Sequence, residues 1–267
     1  MCAAAPFLVS GQQQLPKSRA GWPCGARIDP SYFHVAEGTG GHMMLLAPEE
    51  IGDSAELFNA FSAHPQTILR SAGSITPGVH EFSVPIDPSV ESVVFSISVQ
   101  CLQAADVLQP SGLMPVGSDS VTDFSNFRAQ RVMIVKRPEP GLWNVRVAGS
   151  GVAAVVVQAK SALGIATVEF ASGPDAAFNA LPSPDVENRV RIRVSGNVGD
   201  VRASLVTGEL VHMRRLPLVL SDSDGVFLSR FTPGPDSFRV LVAWKDQAGF
   251  DVQRMYAPLF MPRFTSR

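Results

Sequence analysis

Charge is scarce in this sequence. Asp, Glu, Lys and Arg make up 17% of its 267 residues, against roughly 25% in an average globular protein. Neither sign dominates, since 22 basic and 24 acidic residues leave a formal net charge of -2. A nucleic-acid-binding protein needs a basic face, so that class of partner is excluded. Cysteine is sparse too: Cys2, Cys24 and Cys101 lie far apart with no CxxC spacing, which removes a zinc site. No stretch approaches the roughly 18 consecutive apolar residues that a membrane-spanning helix requires.

Catalytic signatures are equally hard to find. The sequence contains no GxSxG elbow, no HExxH and no GxxxxGK(S/T) loop. Its five histidines, His34, His42, His64, His80 and His212, never pair at HxH or HxxxH spacing. The expectation is therefore no catalytic residue, no metal and no cofactor. Gly38-Thr39-Gly40-Gly41 is glycine-rich, but it follows a helical pattern and precedes an apolar run. A phosphate cradle needs the opposite order, with free N–H groups at a helix N-terminus. The cluster reads as a helix C-cap and turn. Asp222-Ser223-Asp224-Gly225 resembles the opening of a calcium loop, yet the closing Glu is missing, so it reads as a hairpin turn.

What the chain does contain is turn and strand chemistry. Hydrophobic residues at 45% exclude global disorder, and 22 Gly with 21 Pro punctuate the sequence closely. The length allows one large domain or two ordinary ones, with a core that needs no staple. Residues 1–26 read as a flexible leader. Met1–Gln14 resembles the end of a secretory apolar region followed by small residues at a cleavage site, though without a basic start. With Cys2 in that leader, Cys24–Cys101 is the one internal pairing open to the chain. Cys101 closes the apolar run Val93–Val99 and is read as a buried free thiol.

Residues 27–72 carry the helical signals and read as a short α/β segment. Asp29-Pro30 is an N-cap with proline at the first helical position, His42–Leu46 reads as a short strand, and Leu57, Phe58 and Phe61 form an apolar helix face. From residue 79 the period becomes 2. Val79–Val84, Ser92–Val99, Val132–Lys136, Leu142–Val147 and Val152–Ala159 read as strands, with Gly149-Ser150-Gly151 as a hairpin turn between the last two. Residues 73–170 are thus one β-sandwich. Residues 171–188, rich in Pro and Ala, form a linker, and 189–267 a second sandwich. Its clearest strand is Arg189–Val194, where apolar and basic residues alternate and the three arginines form an ordinary solvated face. Trp143 and Trp244 each lie within an apolar strand and are core candidates.

The run Tyr32–Leu46, with its "TGG" turn, resembles the closing piece of a von Willebrand factor A domain. Phe82–Ser89 and Lys136–Val145, with Pro138-Glu139-Pro140-Gly141-Leu142-Trp143, are similar to the region that follows that domain in hemicentins, a sandwich that itself resembles galactose-binding-like jelly rolls. Phe231-Thr232-Pro233 and Phe238–Arg254 look like the immunoglobulin-like module after it. The A domain's metal-binding DxSxS motif is absent, because Asp29-Pro30-Ser31 and Asp87-Pro88-Ser89 each lack the second serine. The resemblance implies a mainly β, extracellular or periplasmic protein: a jelly-roll-like and then an immunoglobulin-like sandwich. The expected function is a secreted, non-enzymatic scaffold or protein-interaction module with a protein partner. The alternatives are a carbohydrate-binding module, which would stack sugars on aromatic platforms, and an accessory domain of a secreted hydrolase.

Overall fold

The structure is a computed structural model that describes residues 24–115, 121–196, 200–221 and 225–261. Most of the expected leader and the Asp222–Asp224 run lie outside the described residues. The chain begins with helix α1 (Pro30–Thr39), whose N-cap Asp29 accepts a hydrogen bond from Ser31 N at 2.9 Å. Gly40 ends the helix in the left-handed conformation at φ 73°, a position where glycine avoids the Cβ clash. A 3-10 turn (Pro48–Asp53) and helix α2 (Ser54–Ser62) follow. On α2, Leu57 and Phe61 are buried one turn apart while Phe58 faces outward. The expected strand His42–Leu46 joins no ladder. It lies instead across the first sheet, where Leu45 N–H donates to Ser98 Oγ at 3.2 Å.

The first sheet is antiparallel, in the order β1-β5-β2-β4-β3. Its strands are β1 (Gln66–Ile86), β2 (Val90–Leu108), β3 (Val121–Asn126), β4 (Gln130–Lys136) and β5 (Gly141–Ser161). Three of these are far longer than the five or six residues of an ordinary strand, because each folds over and serves both layers of one sandwich. The Trp143 ring lies 5.5 Å from Phe95, and Phe95 pairs with Val157, further along the strand that carries Trp143. In a straight strand those two positions of β5 would stand about 45 Å apart. The bend falls where the registers slip, between Ile75 and Gly78 and between Val99 and Ala104, as bulges turn corners in sandwiches. The expected hairpin at Gly149-Ser150-Gly151 is therefore corrected: β5 runs through it. A Cβ on Gly149 would stand 2.7 Å from Cys101 O, so the crossing strands can approach this closely only at glycine.

The second sandwich has two separate sheets of short strands, β10-β11-β7-β6 and β13-β12-β8-β9. They comprise β6 (Gly164–Ala171), β7 (Asn188–Ser195), β8 (Arg202–Val206), β9 (His212–Leu216), β10 (Val219–Leu220), β11 (Val226–Phe231), β12 (Arg239–Lys245) and β13 (Asp251–Met255). Between the sheets, Phe170, Phe231, Phe238 and Phe260 meet largely edge to face. Phe170 comes from β6, which pairs with β7. The chain thus crosses between sandwiches at residues 161–164, upstream of the expected 171–188 linker. That stretch is tied to the second sandwich: Asn179 bridges to Phe170, and the Asn188 amide donates to Ser183 O and Val186 O.

Candidate functional site

Two places in the molecule concentrate charge. The first is a buried junction of all three parts of the chain. Glu37 of α1 is 2% exposed, and its carboxylate takes Arg70 of β1 on Oε1 and Arg239 of β12 on Oε2. Arg70 also donates to Gly40 O at 3.0 Å and to Gly41 O, which satisfies the carbonyls that end α1. Arg239 Nε donates to Ala257 O at 3.0 Å. A second buried pair stands nearby, with Arg254 of β13 2.8 Å from Asp87 in the β1–β2 turn. Arg254 also donates to Leu163 O and Ser161 Oγ at the crossing point. Burial pushes the Arg239 and Arg254 guanidiniums down from their ordinary values, and the facing Glu37 and Asp87 carboxylates oppose that shift. Guanidinium stays charged throughout, so the junction holds only while its carboxylates remain in place.

His42 lines the same region. Its ring stacks on Phe61 at 3.9 Å and its Nε2 donates to Gln158 Oε1 at 2.9 Å. Burial, aided by the Arg70 charge, pushes its pKa down to about 4, so it stands neutral at physiological pH. His64 instead bridges Ala60 O and Ser92 Oγ. Among the described residues, no group of three or more His, Cys, Asp or Glu side chains could hold a metal.

The second place is open. On the outer face of β10-β11-β7-β6, Arg189, Arg191 and Arg193 of β7 stand in register with Arg230, Leu228 and Val226 of β11. Leu228 in turn pairs with Val219 of β10. Together they line a groove of about 640 Å³. Phe178 closes one side, 4.1 Å from the Arg191 guanidinium and 5.2 Å from that of Arg189. Arg191 pairs with Glu169 at 2.9 Å and Arg230 with Glu187 at 3.6 Å. A smaller cleft of about 400 Å³ between the sandwiches is self-neutralised, with Arg202 on Asp200 and Lys245 on Asp251.

The β7 arginines thus alternate outward as their spacing predicts, but they border a groove with Phe178. Trp143 is 0% and Trp244 3% exposed, so both belong to the core. The free-thiol reading of Cys101 is corrected: Cys24 and Cys101 form a disulfide with Cα atoms 4.7 Å apart, within the range such bonds require. The extended segment after Cys24 is held beside Gln100, whose Nε2 donates to Ala26 O at 2.8 Å. Sequence reasoning passed over Glu37, Arg70, Asp87, Arg239 and Arg254. The available signal was an isolated charge inside an apolar run, as in Ile68-Leu69-Arg70 and Phe238-Arg239-Val240.

Residues 67–162 match the family model of the hemicentin galactose-binding domain-like region. Mouse hemicentin-2 is 24% identical over 177 residues, which is 65% of this chain and 3% of that protein. Human hemicentin-1 is 23% identical over 166 residues, 62% of this chain and again 3% of its own length. The chain spans only a small fraction of these curated relatives. Among solved structures, the propeptide form of Bacillus licheniformis lipase BlEst2 aligns over 72% of this chain and 40% of its own, with 12% identity and a TM-score of 0.37.

Proposed function

We propose that this chain is a secreted, non-enzymatic scaffold and protein-interaction module that presents two sandwiches in a fixed relation. The observation that carries this reading is the match of residues 67–162 to the hemicentin galactose-binding-like region. The Cys24–Cys101 disulfide supports an oxidising compartment. The buried Glu37–Arg70–Arg239 and Asp87–Arg254 contacts suit a spacer, because they hold the two sandwiches in one relative orientation. In the finer reading the first sandwich is jelly-roll-like, the second immunoglobulin-like, and residues 27–72 resemble the closing piece of a von Willebrand factor A domain. The helix ending on Gly40 supports that last assignment.

The test is a binding screen of the purified, oxidised full chain against a panel of secreted ectodomains and, in parallel, a glycan array. Saturable binding to one or more ectodomains is the expected result. Binding confined to glycans would replace this reading with the carbohydrate-binding one. Turnover of ester, peptide or glycoside substrates that is abolished by a single substitution would overturn the non-enzymatic part.

A further inference from the structure

We propose that the groove on the outer face of β10-β11-β7-β6 docks an extended acidic peptide segment of a partner protein, one whose carboxylates alternate with apolar residues. The inference rests on the protein-interaction reading above and specifies the surface and the chemistry of the partner.

Charge supports it first. The chain as a whole carries -2, yet among the described residues this face gathers four arginines against two glutamates, Glu169 and Glu187. The local sign is reversed. The two glutamates engage Arg191 and Arg230; among the described residues, Arg193 makes no ion pair. Arg189 spends one Nη2 hydrogen bond on Ala176 O at 3.3 Å, while its buried Nε has no acceptor. The Arg189 guanidinium is therefore held by Ala176 O and the Phe178 ring, while Arg193 is exposed and, among the described residues, unpaired. A guanidinium fixed in advance binds a carboxylate with less loss of rotamer freedom.

Spacing fixes the form of the ligand. Alternate residues on one side of a strand repeat at about 6.8 Å, and an extended peptide repeats at the same distance. A segment lying edge-on along β7 presents its carboxylates to Arg189, Arg191 and Arg193 in turn. Its opposite edge then lies over Leu228 and Val219, which are 37% and 67% exposed. That aliphatic strip distinguishes a peptide from a sulfated polysaccharide, which has anions but no aliphatic side chains to cover it. Arginine and aromatic side chains beside apolar surface are also the composition enriched in protein interfaces.

The experiment titrates the full oxidised chain into a fluorescein-labelled peptide of alternating Glu and Leu, following anisotropy. A Gln/Leu peptide and a heparin oligosaccharide serve as the other probes, and Arg193→Ala, Arg189→Ala and Leu228→Ser as the variants. Expected are saturable, salt-sensitive binding of the Glu/Leu peptide alone and about tenfold weakening for each arginine removed. Leu228→Ser, which leaves every charge in place, should weaken it several-fold. Equal binding of the Gln/Leu peptide would overturn the ionic part of the proposal. Heparin binding indifferent to Leu228→Ser would overturn the peptide in favour of a polysaccharide. Concentration-dependent self-association abolished by Arg193→Ala would assign the groove to a second copy. Failure of every probe, in a chain that still binds an ectodomain and keeps that binding in Arg193→Ala, would remove the groove while leaving the interaction reading intact.

Discussion

The two sandwiches reach the same layered architecture by different routes. In the first, β1, β2 and β5 bend over and supply both layers, so the layers are joined through continuous backbone. In the second, the layers are separate sheets of strands no longer than eight residues, joined by loops and held by a cluster of phenylalanines. A bent strand concentrates its demands at the corner, where only glycine fits. A loop-joined sandwich spreads its demands over side chains in the core. The first design is therefore sensitive to backbone substitutions at a few positions, and the second to the loss of a strand.

The largest test removes a strand. A fragment of residues 185–267 lacks β6 and with it Val168 and Phe170 of the core, so it should be unfolded by circular dichroism. A fragment of residues 162–267 restores β6 and should melt cooperatively; if the shorter fragment melts equally well, β6 is dispensable to the second sandwich. Next in size is the junction. Glu37→Gln leaves two buried arginines facing a neutral amide, and breaking a buried pair costs about 3–5 kcal/mol. Scanning calorimetry should show one transition for the full chain and, for this variant, a lower one split in two. A variant that melts as one unit at the original temperature would show that the sandwiches are coupled by other contacts.

The corner is tested by Gly149→Ala, since its Cβ would stand 2.7 Å from Cys101 O and 3.0 Å from a Val99 methyl. Overpacking of this kind costs about 1–3 kcal/mol, whereas alanine at Gly234, which has nothing within 4 Å, should change little. Equal melting temperatures for the two variants would mean that the corner relaxes freely. The last test concerns pH. The pKa of His42 is about 4 in the folded chain against 6.5 for the free side chain. The unfolded chain binds the extra proton first, so His42 contributes stability that is complete above about pH 6.5 and is lost as pH falls towards 4. The loss amounts to about 3 kcal/mol by pH 4, and His42→Gln should flatten the dependence of urea midpoint on pH in that window.

Much of this comparison could be read from residue patterns, and the reasons for the remainder are physical. Arg189–Val194 shows itself because one face is wet and the other packed, which forces strict alternation. The ends of α1 were legible in Asp29-Pro30 and in Gly40, where local backbone chemistry decides. Gly149-Ser150-Gly151 misled, because glycine serves a tight turn and a close strand crossing equally well, and only the partner strand distinguishes them. The placement of β6 was hidden for a related reason: alternation tells which face of a strand is buried, but not which sheet the strand joins. The junction arginines lie in three distant parts of the sequence, and no local pattern announces that Glu37 and Arg239 will meet. Phe178 sits in a Pro- and Ala-rich stretch and acquires its role only when that stretch folds back beside β7.

The Cys24–Cys101 bond has a mechanical consequence. It closes a ring of backbone, 77 residues apart along the chain, that contains α1, α2, all of β1 and the first half of β2. A pull on the chain ahead of Cys24 passes straight across the bond to the middle of β2. The whole ring is then a passenger, shielded from tension while the bond is intact. Reduction would put the ring under load and release up to about 250 Å of contour length. In a protein that links other molecules, this one bond would set the difference between a stiff connector and an extensible one.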